Sequence, residues 1–306
     1  METIGFIGGG NMAEALINGV LKAGVYRPGK VYASDIRPER LEYLREHYGV
    51  RTADDNVLLA SKVDVLVLSV KPQNMRTALE SIKSGIGEDT LVISIAAGIT
   101  TSLIASILGD LAIVRVMPNM PAWVDEAASA LYANAKARTK VEKARLILLS
   151  VGEVIVVEDE SLLDPVTAVS GSGPAYFFLL MQEMIKAGVD LGLPEDDAQH
   201  LVLQTAKGAA LLAEKAAGEG TSPAQLNARV ATPNGTTEAA FNVFHAHRFD
   251  VTETVRQGDN SVRIEVAADG DNVAHIDDQI SAVSEFRKPE PPWIRQCWQL
   301  QCRVGP

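Results

Sequence analysis

Hydrophobic and polar residues alternate with two different periods along the first part of the chain. Short runs rich in β-branched residues predict strands, and the amphipathic segments between them, such as 12–23 and 38–48, predict helices. The predicted strands are Ile4–Ile7, Lys30–Ala33, Val63–Val70, Thr90–Ile95 and Ala112–Val116. Several of these runs are almost wholly apolar, as expected when helices cover both faces of a parallel sheet. The pattern predicts an α/β fold, a doubly wound parallel sheet of the Rossmann type, over residues 1–160.

Beyond Val157 the pattern is helical. Pro174 and Pro194 each stand where the first turn of a helix accepts proline, and long helical segments follow both. The first of these segments, Ala175–Met181, is apolar on every side. A helix without a polar face must be buried all round, which in a small domain favours an interface with a second subunit. We therefore expect residues 161–249 to form an all-α dimerisation domain, in a homodimer or a higher homo-oligomer.

From about Asp250 neither period persists. Residues 250–306 contain Pro-Glu-Pro-Pro at 289–292, both cysteines and two of the three tryptophans. The composition predicts a poorly ordered tail. An altered reading frame at the 3′ end of the coding region is the alternative, and the sequence leaves both open.

Composition and charge exclude several classes of protein. Apolar residues make up 47% of 306, and the net charge of −11 disfavours binding to nucleic acid or to an anionic membrane. The apolar runs are shorter than the roughly 18–20 residues of a membrane helix, and no secretory signal is predicted before the first motif. With two cysteines and an isolated His245/His247 pair, the sequence predicts no disulfide framework and no metal site. The expected protein is soluble and cytoplasmic.

A glycine-rich motif lies between the first predicted strand and the first predicted helix. Gly8-Gly-Gly10-Asn-Met-Ala13 fits the pattern G-x-G-x-x-A, and Asp35 ends the second strand 22 residues after Ala13. Glycines let a backbone approach a pyrophosphate, and the start of a helix offers it free N–H groups. In this context, turn glycines without a ligand are the weaker interpretation, and the motif predicts a dinucleotide site.

The residues after the second strand give opposing signals on the cofactor. Asp35 favours NAD, because a carboxylate there accepts hydrogen bonds from the adenosine ribose. Arg37 favours NADP, because its guanidinium can bind a 2′-phosphate. The choice stays open at this point.

Two further positions have both a functional and a purely structural interpretation. Lys71 follows the third long strand and could face the cofactor, or it could be a solvated surface lysine. In Thr232-Pro-Asn-Gly-Thr-Thr-Glu238, a tight turn precedes a helix that Thr236 or Thr237 is predicted to cap. That helix start could bind a substrate carboxylate, or it could be an ordinary N-cap.

Taken together, the motifs resemble those of the pyrroline-5-carboxylate reductases from Met1 to about Phe249. The segments that carry the resemblance are Gly5-Phe-Ile-Gly-Gly-Gly-Asn-Met-Ala13, Val70-Lys-Pro72, Ala96-Ala-Gly98, Arg115-Val-Met-Pro-Asn119, Ser170-Gly-Ser-Gly-Pro-Ala-Tyr176 and Val230-Ala-Thr-Pro-Asn-Gly-Thr-Thr237. Asn234 departs from the family, which commonly has glycine there. The resemblance implies a Rossmann domain, an interlocking helical domain, and reduction of Δ1-pyrroline-5-carboxylate to L-proline by NAD(P)H.

The resemblance also implies roles for individual residues. The residues that the resemblance implies for binding the cofactor diphosphate are Ile7, Gly8, Gly10, Asn11 and Met12. Asp35, Arg37 and Asn56 would face the adenosine ribose, and the nicotinamide side would be lined by Ser69, Val70, Lys71, Pro72 and Ala97. Thr236 and Thr237 would bind the substrate, with Thr237 as the family's candidate proton donor. A threonine hydroxyl is too weak an acid for that step at pH 7, so we expect Thr237 to orient the ring nitrogen instead.

Two other functions remain possible from the sequence. One is a related NAD(P)-dependent reductase of another imino acid or of a hydroxy acid, which should carry a catalytic lysine or histidine in the helical domain. The other is a catalytically decayed homologue that only binds nucleotide. The sequence favours NADPH as cofactor, with NADH possible.

Overall fold

The backbone of residues 2–246 and the side chains of residues 2–242 are described by a computed structural model. The chain divides into two compact units, the first ending at Pro174 and the second beginning at Ala175. The first unit has α/β architecture and the second is helical. The predicted tail at 250–306 lies outside the described residues.

The first unit is built on an eight-stranded sheet in the order β3-β2-β1-β4-β5-β6-β7-β8. The strands are β1 Ile4–Ile7, β2 Val31–Ser34, β3 Arg51–Ala53, β4 Val65–Leu68, β5 Leu91–Ser94, β6 Ala112–Met117, β7 Ala127–Ala133 and β8 Gly152–Val156. Strands β1 to β6 are parallel, β7 runs antiparallel to β6, and β8 is parallel to β7. The order of the first six is that of a Rossmann fold, with its switch point between β1 and β4. The predicted Rossmann fold is confirmed.

Helices cover both faces of the sheet. They are α1 Asn11–Lys22, α2 Pro38–Tyr48, α3 Asn56–Ala60, α4 Met75–Ile82, α5 Thr101–Leu108, α6 Val141–Leu149 and α7 Leu163–Val166. Successive side chains of β4 alternate between two apolar cores: Val67 joins the core that contains Leu16, and Leu68 joins the core that contains Leu79. These two cores hold the sheet between its helical layers.

The second unit is formed by α8 Gly173–Asp190, which begins at the end of the first unit, and by α9 Glu195–Gly218, α10 Pro223–Val230 and α11 Thr236–Ala246. Ser222 and Gln225 form a capping box at the start of α10. Much of the apolar surface of α8 and α9 is exposed in the single chain, including Phe177 at 64% and Leu211 at 55%. The two helices therefore need a further surface to bury the apolar side chains that the sequence predicted to be covered.

The sheet contains three strands that the hydrophobic pattern did not predict: β3, β7 and β8. The five predicted strands are all present, with ends within two residues of their predicted positions. Within residues 2–246, no helix combines the length and apolar character needed to span a bilayer. The side chains described also include no group of three or more His, Cys, Asp or Glu residues that could hold a metal ion.

Candidate functional site

The turn between β1 and α1 excludes a side chain at Gly8 and leaves open space at Gly10. Gly8 has a φ of +96°, and a Cβ there would lie 2.9 Å from the backbone oxygen of Ser69. Gly10 is the N-cap of α1, and nothing lies within 4 Å of the position its Cβ would take. No side chain of the described residues caps this helix. The first N–H groups of α1 are therefore available to an anion, and the turn fits a dinucleotide diphosphate.

Ser69 connects this turn to the end of the neighbouring strand β4. Its hydroxyl lies 2.6 Å from the carbonyl oxygen of Gly8 and 3.0 Å from that of Ile7. Its backbone N–H donates to Ile7 as well, at 2.9 Å. These contacts lie where the strand order reverses, which is where open α/β sheets bind their ligands.

Asp35 follows β2, and its carboxylate accepts four hydrogen bonds from Gly9 and Arg37, one of them from Arg37 Nη2 at 3.3 Å. It accepts from the backbone N–H of Gly9 at 2.9 Å, from the backbone N–H of Arg37 at 3.0 Å and from Arg37 Nε at 3.0 Å. Burial raises the pKa of Asp35, but these hydrogen bonds and the charge of Arg37 outweigh it and lower the pKa overall. The Asp35 side chain is 8% exposed and that of Arg37 is 53% exposed. The negative charge of Asp35 is thus largely compensated by its hydrogen-bond donors, while the Arg37 guanidinium remains accessible to solvent.

Asn56 is the first residue of α3, and both the oxygen and the nitrogen of its side-chain amide form hydrogen bonds. Its Oδ1 accepts from Ser34 Oγ at 2.7 Å, and its Nδ2 donates to Ser81 Oγ at 3.1 Å. Ser34 is the last residue of β2 and directly precedes Asp35. Asn56 is therefore anchored beside the strand end that carries the predicted ribose residues.

The remaining predicted cofactor residues also lie at strand ends or at the start of α1. Asn11 is exposed, whereas Met12 packs against the core that contains Leu16. Val70 is half-buried, Lys71 is exposed, and Pro72 begins a short 3₁₀ turn after β4. Ala97 is half-buried in the turn after β5. Because β1, β2, β4 and β5 are parallel neighbours, their carboxyl ends share one edge of the sheet, so the structure brings these predicted residues to the same edge.

Two buried polar side chains, one within β6 and one just after it, were not identified as functional candidates from the sequence. Arg115 contacts Glu160 and Asp164, and Glu160 accepts from the backbone N–H and the hydroxyl of Thr101 at 2.8 and 2.7 Å. Asn119 donates to the carbonyl of Ser170 and accepts from the N–H of Ala128, each at 3.0 Å. An arginine within the apolar run of β6 was the available signal, since a buried charge needs a partner.

Thr236 and Thr237 belong to the second unit. The helix α11 begins at Thr236, and the carbonyl of Gly235 accepts from the N–H of Ala239 at 3.2 Å. The predicted threonine cap is therefore wrong: Gly235 occupies the cap position, and the threonines are the first two helical residues, Thr236 exposed and Thr237 half-buried. A Cβ on Gly235 would lie 2.5 Å from Thr232 Oγ1, so this tight turn excludes a side chain at the cap.

Asn234 has a left-handed backbone, with a φ of +59°. Asparagine is among the few residues besides glycine that adopt this conformation readily. Its N–H donates to a carboxylate oxygen of Glu238 at 2.7 Å. The conformation explains how asparagine can stand where related sequences commonly have glycine.

Two family models and several curated relatives match the chain. Residues 160–258 match the family model described as pyrroline-5-carboxylate reductase dimerisation, and residues 3–98 match the model described as NADP oxidoreductase, coenzyme F420-dependent. The pyrroline-5-carboxylate reductase of Pseudomonas aeruginosa is 44% identical over 249 residues, which cover 81% of this chain and 90% of the relative.

Solved structures give the same result. A pyrroline-5-carboxylate reductase from Coxiella burnetii is 39% identical with a TM-score of 0.72, covering 80% of this chain and 90% of that one. The Plasmodium falciparum pyrroline carboxylate reductase with NADP bound is 28% identical with a TM-score of 0.72, at the same coverage. The resemblance seen in the motifs is confirmed over most of the chain. On the identity to these relatives and the match to the dimerisation model, the chain belongs to the pyrroline-5-carboxylate reductase family.

Proposed function

We propose that the chain transfers a hydride from NAD(P)H to the C=N carbon of Δ1-pyrroline-5-carboxylate and so forms L-proline, the last step of proline biosynthesis. The observation that carries the proposal is the Gly8–Gly10 turn, which leads into a helix start without a side-chain cap at the switch point of the sheet. Membership of the reductase family supplies the substrate class.

The nicotinamide cofactor supplies the hydride when it is bound. Residues at the start of α1 would hold its diphosphate: Ile7, Gly8, Gly10, Asn11 and Met12. The adenosine ribose would face Asp35, Arg37 and Asn56. On the nicotinamide side, the lining residues would be Ser69, Val70, Lys71, Pro72 and Ala97. The half-buried or small residues of this last set favour close packing against a flat ring, and Lys71 adds a positive charge for the anionic cofactor.

The preferred cofactor is NADPH. A free carboxylate at Asp35 would repel a 2′-phosphate, but this one already accepts hydrogen bonds from Gly9 and Arg37. The Arg37 guanidinium is half-exposed and can bind the phosphate with its remaining N–H groups. NADH, which lacks the phosphate, gains nothing from this arginine and serves as the weaker cofactor.

Thr237 orients the substrate, and the start of α11 holds its carboxylate. The N–H groups of the first turn of a helix bind anions, and Gly235 at the cap has no side chain to occupy them. The Thr237 hydroxyl hydrogen-bonds the ring nitrogen, which is protonated in the bound iminium or receives its proton as the hydride arrives. Alignment of the hydride-donating carbon of the nicotinamide with the C=N carbon of the substrate then removes most of the activation barrier. Thr236 completes the substrate site.

The chain works as a homodimer or a larger homo-oligomer formed through its helical unit. The match of residues 160–258 to a dimerisation model and the exposed apolar side chains of α8 and α9 support this assembly. The interface also provides the burial that the all-apolar segment 175–181 requires. The cytoplasmic location expected from the sequence stays a prediction.

A spectrophotometric assay of NADPH oxidation with racemic pyrroline-5-carboxylate tests the proposal. We expect oxidation that depends on the imine and is much slower with a 2-oxo acid of similar size. Equal rates on a 2-oxo or 2-hydroxy acid would favour a reductase of another substrate class. Nucleotide binding without turnover on any of these substrates would identify a decayed homologue.

A further inference from the structure

A buried polar cluster on α1 and α2 lies directly behind the glycine turn, and the proposed reaction does not use it. It consists of Glu14, Arg40, Tyr43 and Tyr48. The Glu14 side chain is 4% exposed and the Arg40 side chain is 16% exposed. A carboxylate with so little access to water is costly unless it is well paired, so the cluster needs an explanation.

The other three side chains of the cluster converge on the Glu14 carboxylate. Its Oε1 accepts from the hydroxyls of Tyr43 at 3.0 Å and Tyr48 at 2.8 Å, and its Oε2 accepts from Arg40 Nη2. Burial raises the pKa of Glu14, but the hydrogen bonds from Arg40 and the two tyrosines outweigh it, and the pKa lies below its usual value. Glu14 is therefore ionised at neutral pH and holds the guanidinium of Arg40 in one orientation.

The other side of that guanidinium reaches the glycine turn. Arg40 Nε donates to the carbonyl oxygen of Gly9, while the N–H of Gly9 donates to Asp35 at 2.9 Å. Both polar groups of the middle glycine are thus held by side chains. A Cβ on Gly9 would lie 2.9 Å from Leu44 Cδ1, so the turn also packs closely against α2.

We infer that Glu14 and Arg40 are positioning residues for diphosphate binding: Glu14 orients Arg40, and Arg40 fixes the Gly9 carbonyl so that the turn keeps its binding conformation. The inference rests on the proposed function of the turn. A backbone that is already fixed loses less entropy when it binds, which raises affinity without a direct contact. Because the turn serves every dinucleotide, the pair contributes equally to NADPH and NADH.

The same contacts separate the tasks of two neighbouring arginines. Arg40 has Nε on Gly9 and Nη2 on Glu14, so it is committed to the turn. Arg37 is half-exposed and pairs with Asp35, which is proposed to face the ribose. Arg40 then supports diphosphate binding indirectly, through the turn, whereas Arg37 contacts the 2′-phosphate directly.

Ligands that contain only one of these groups test the inference. ADP-ribose carries the diphosphate without a 2′-phosphate, and adenosine 2′-monophosphate carries the 2′-phosphate without a diphosphate. Calorimetric titration of the purified full chain with both, and with NADH and NADPH, compares the parent with Arg40→Lys. The lysine keeps the charge near Glu14 but has no planar fork that can contact Glu14 and Gly9 together.

We expect Arg40→Lys to weaken ADP-ribose, NADH and NADPH by a common factor of about tenfold, as for the loss of one charge-assisted hydrogen bond. Adenosine 2′-monophosphate should bind within about twofold of the parent. The matched control is Arg45→Lys on the same helix, where the arginine is exposed and pairs with Glu42. It should leave all four affinities unchanged.

Unchanged binding of ADP-ribose by Arg40→Lys would overturn the inference, as would an equal loss for adenosine 2′-monophosphate, which would show a general structural effect. If Arg40→Lys does not fold, Glu14→Gln provides the same test, because it removes the charge that orients Arg40. A parent that binds neither ADP-ribose nor NADPH would instead reject the proposed function.

Discussion

Arg115 and Glu160 form an ion pair with an Nη1–Oε1 distance of 3.5 Å, in which the arginine side chain is 5% exposed. The same glutamate accepts two hydrogen bonds from Thr101, the first residue of α5. Through Glu160, the buried guanidinium thus links β6 to α5, the helix that follows the Ala96–Gly98 turn. The pair fixes a part of the first unit that lies beside the predicted nicotinamide side.

Replacing Arg115 tests how much this link stabilises the first unit. Arg115→Ala leaves the Glu160 carboxylate without its cation, so the free energy of unfolding should fall by about 2–4 kcal/mol. Urea unfolding followed by circular dichroism measures the change. Arg145→Ala is the control, because Arg145 forms an exposed pair with Glu142 and should cost less than about 1 kcal/mol. Equal stability of the two variants would show that the buried pair contributes nothing.

The low pKa of Glu14 predicts a loss of stability in acid. A carboxyl whose pKa is lower in the folded state stabilises the protein above its unfolded value, near 4.5, and loses this contribution as the pH falls through the folded pKa. The Tm of the parent should therefore fall as the pH is lowered from about 5 towards 3. Glu14→Gln does not titrate and should show a shallower decrease, with a lower Tm at pH 7. Parallel Tm curves for the two proteins would contradict this assignment.

Cofactor selection is expected to depend on Arg37. Arg37→Ala should raise the KM for NADPH about tenfold or more, the value of one charge-assisted phosphate contact, and change the KM for NADH much less. Initial rates at saturating imine with each cofactor measure the two constants. Arg45→Ala changes an exposed arginine on α2, the helix that begins directly after Arg37, and should leave both constants unchanged. An equal increase for NADPH and NADH would remove Arg37 from the phosphate site.

Thr237 should affect the rate more than binding. Thr237→Ala removes the hydroxyl but keeps the backbone N–H groups of α11, so kcat should fall about 100-fold while the substrate KM changes little. Thr237→Ser keeps the hydroxyl and should retain much of the rate, with looser rotamer control because the β-branch is lost. Steady-state kinetics on the three proteins separate kcat from KM. A fully active Thr237→Ala would make this threonine a purely structural part of the helix start.

The sequence predicted the strands whose burial leaves a clear pattern. The apolar, β-branched runs of β4 and β5 are fully buried and were found without ambiguity. By contrast, β3 has only three residues, Arg51–Ala53, and no buried position. The strand β7 reads Ala-Ala-Ser-Ala-Leu-Tyr-Ala, and alanine is depleted in strands. Such strands form because their neighbours in the sheet supply hydrogen-bonding partners, which periodicity alone does not report.

Parts of the candidate site that lie in one short motif could be predicted from the sequence. Contacts between residues far apart in the sequence could not. Gly8, Gly10 and Asp35 follow from motif and spacing. The contact between Glu14 and Arg40 spans 26 positions, and that between Arg115 and Glu160 spans 45. A single sequence marks Glu14 and Arg115 as polar groups within apolar segments. Their partners, Arg40 and Glu160, lie in polar segments and are identified only once the strands and helices are packed.

The exposed apolar side chains of α8 and α9 have a consequence for how the protein responds to dilution. Among the described side chains of these helices, those that are buried are few and small: Ala187, Ala198, Val202 and Ala216. A helical unit of this kind obtains most of its apolar burial by association. The fraction of folded protein therefore depends on the protomer concentration. Thermal transitions recorded at nanomolar and at micromolar protein should therefore differ, and an apparent melting temperature has meaning only together with the concentration at which it was measured.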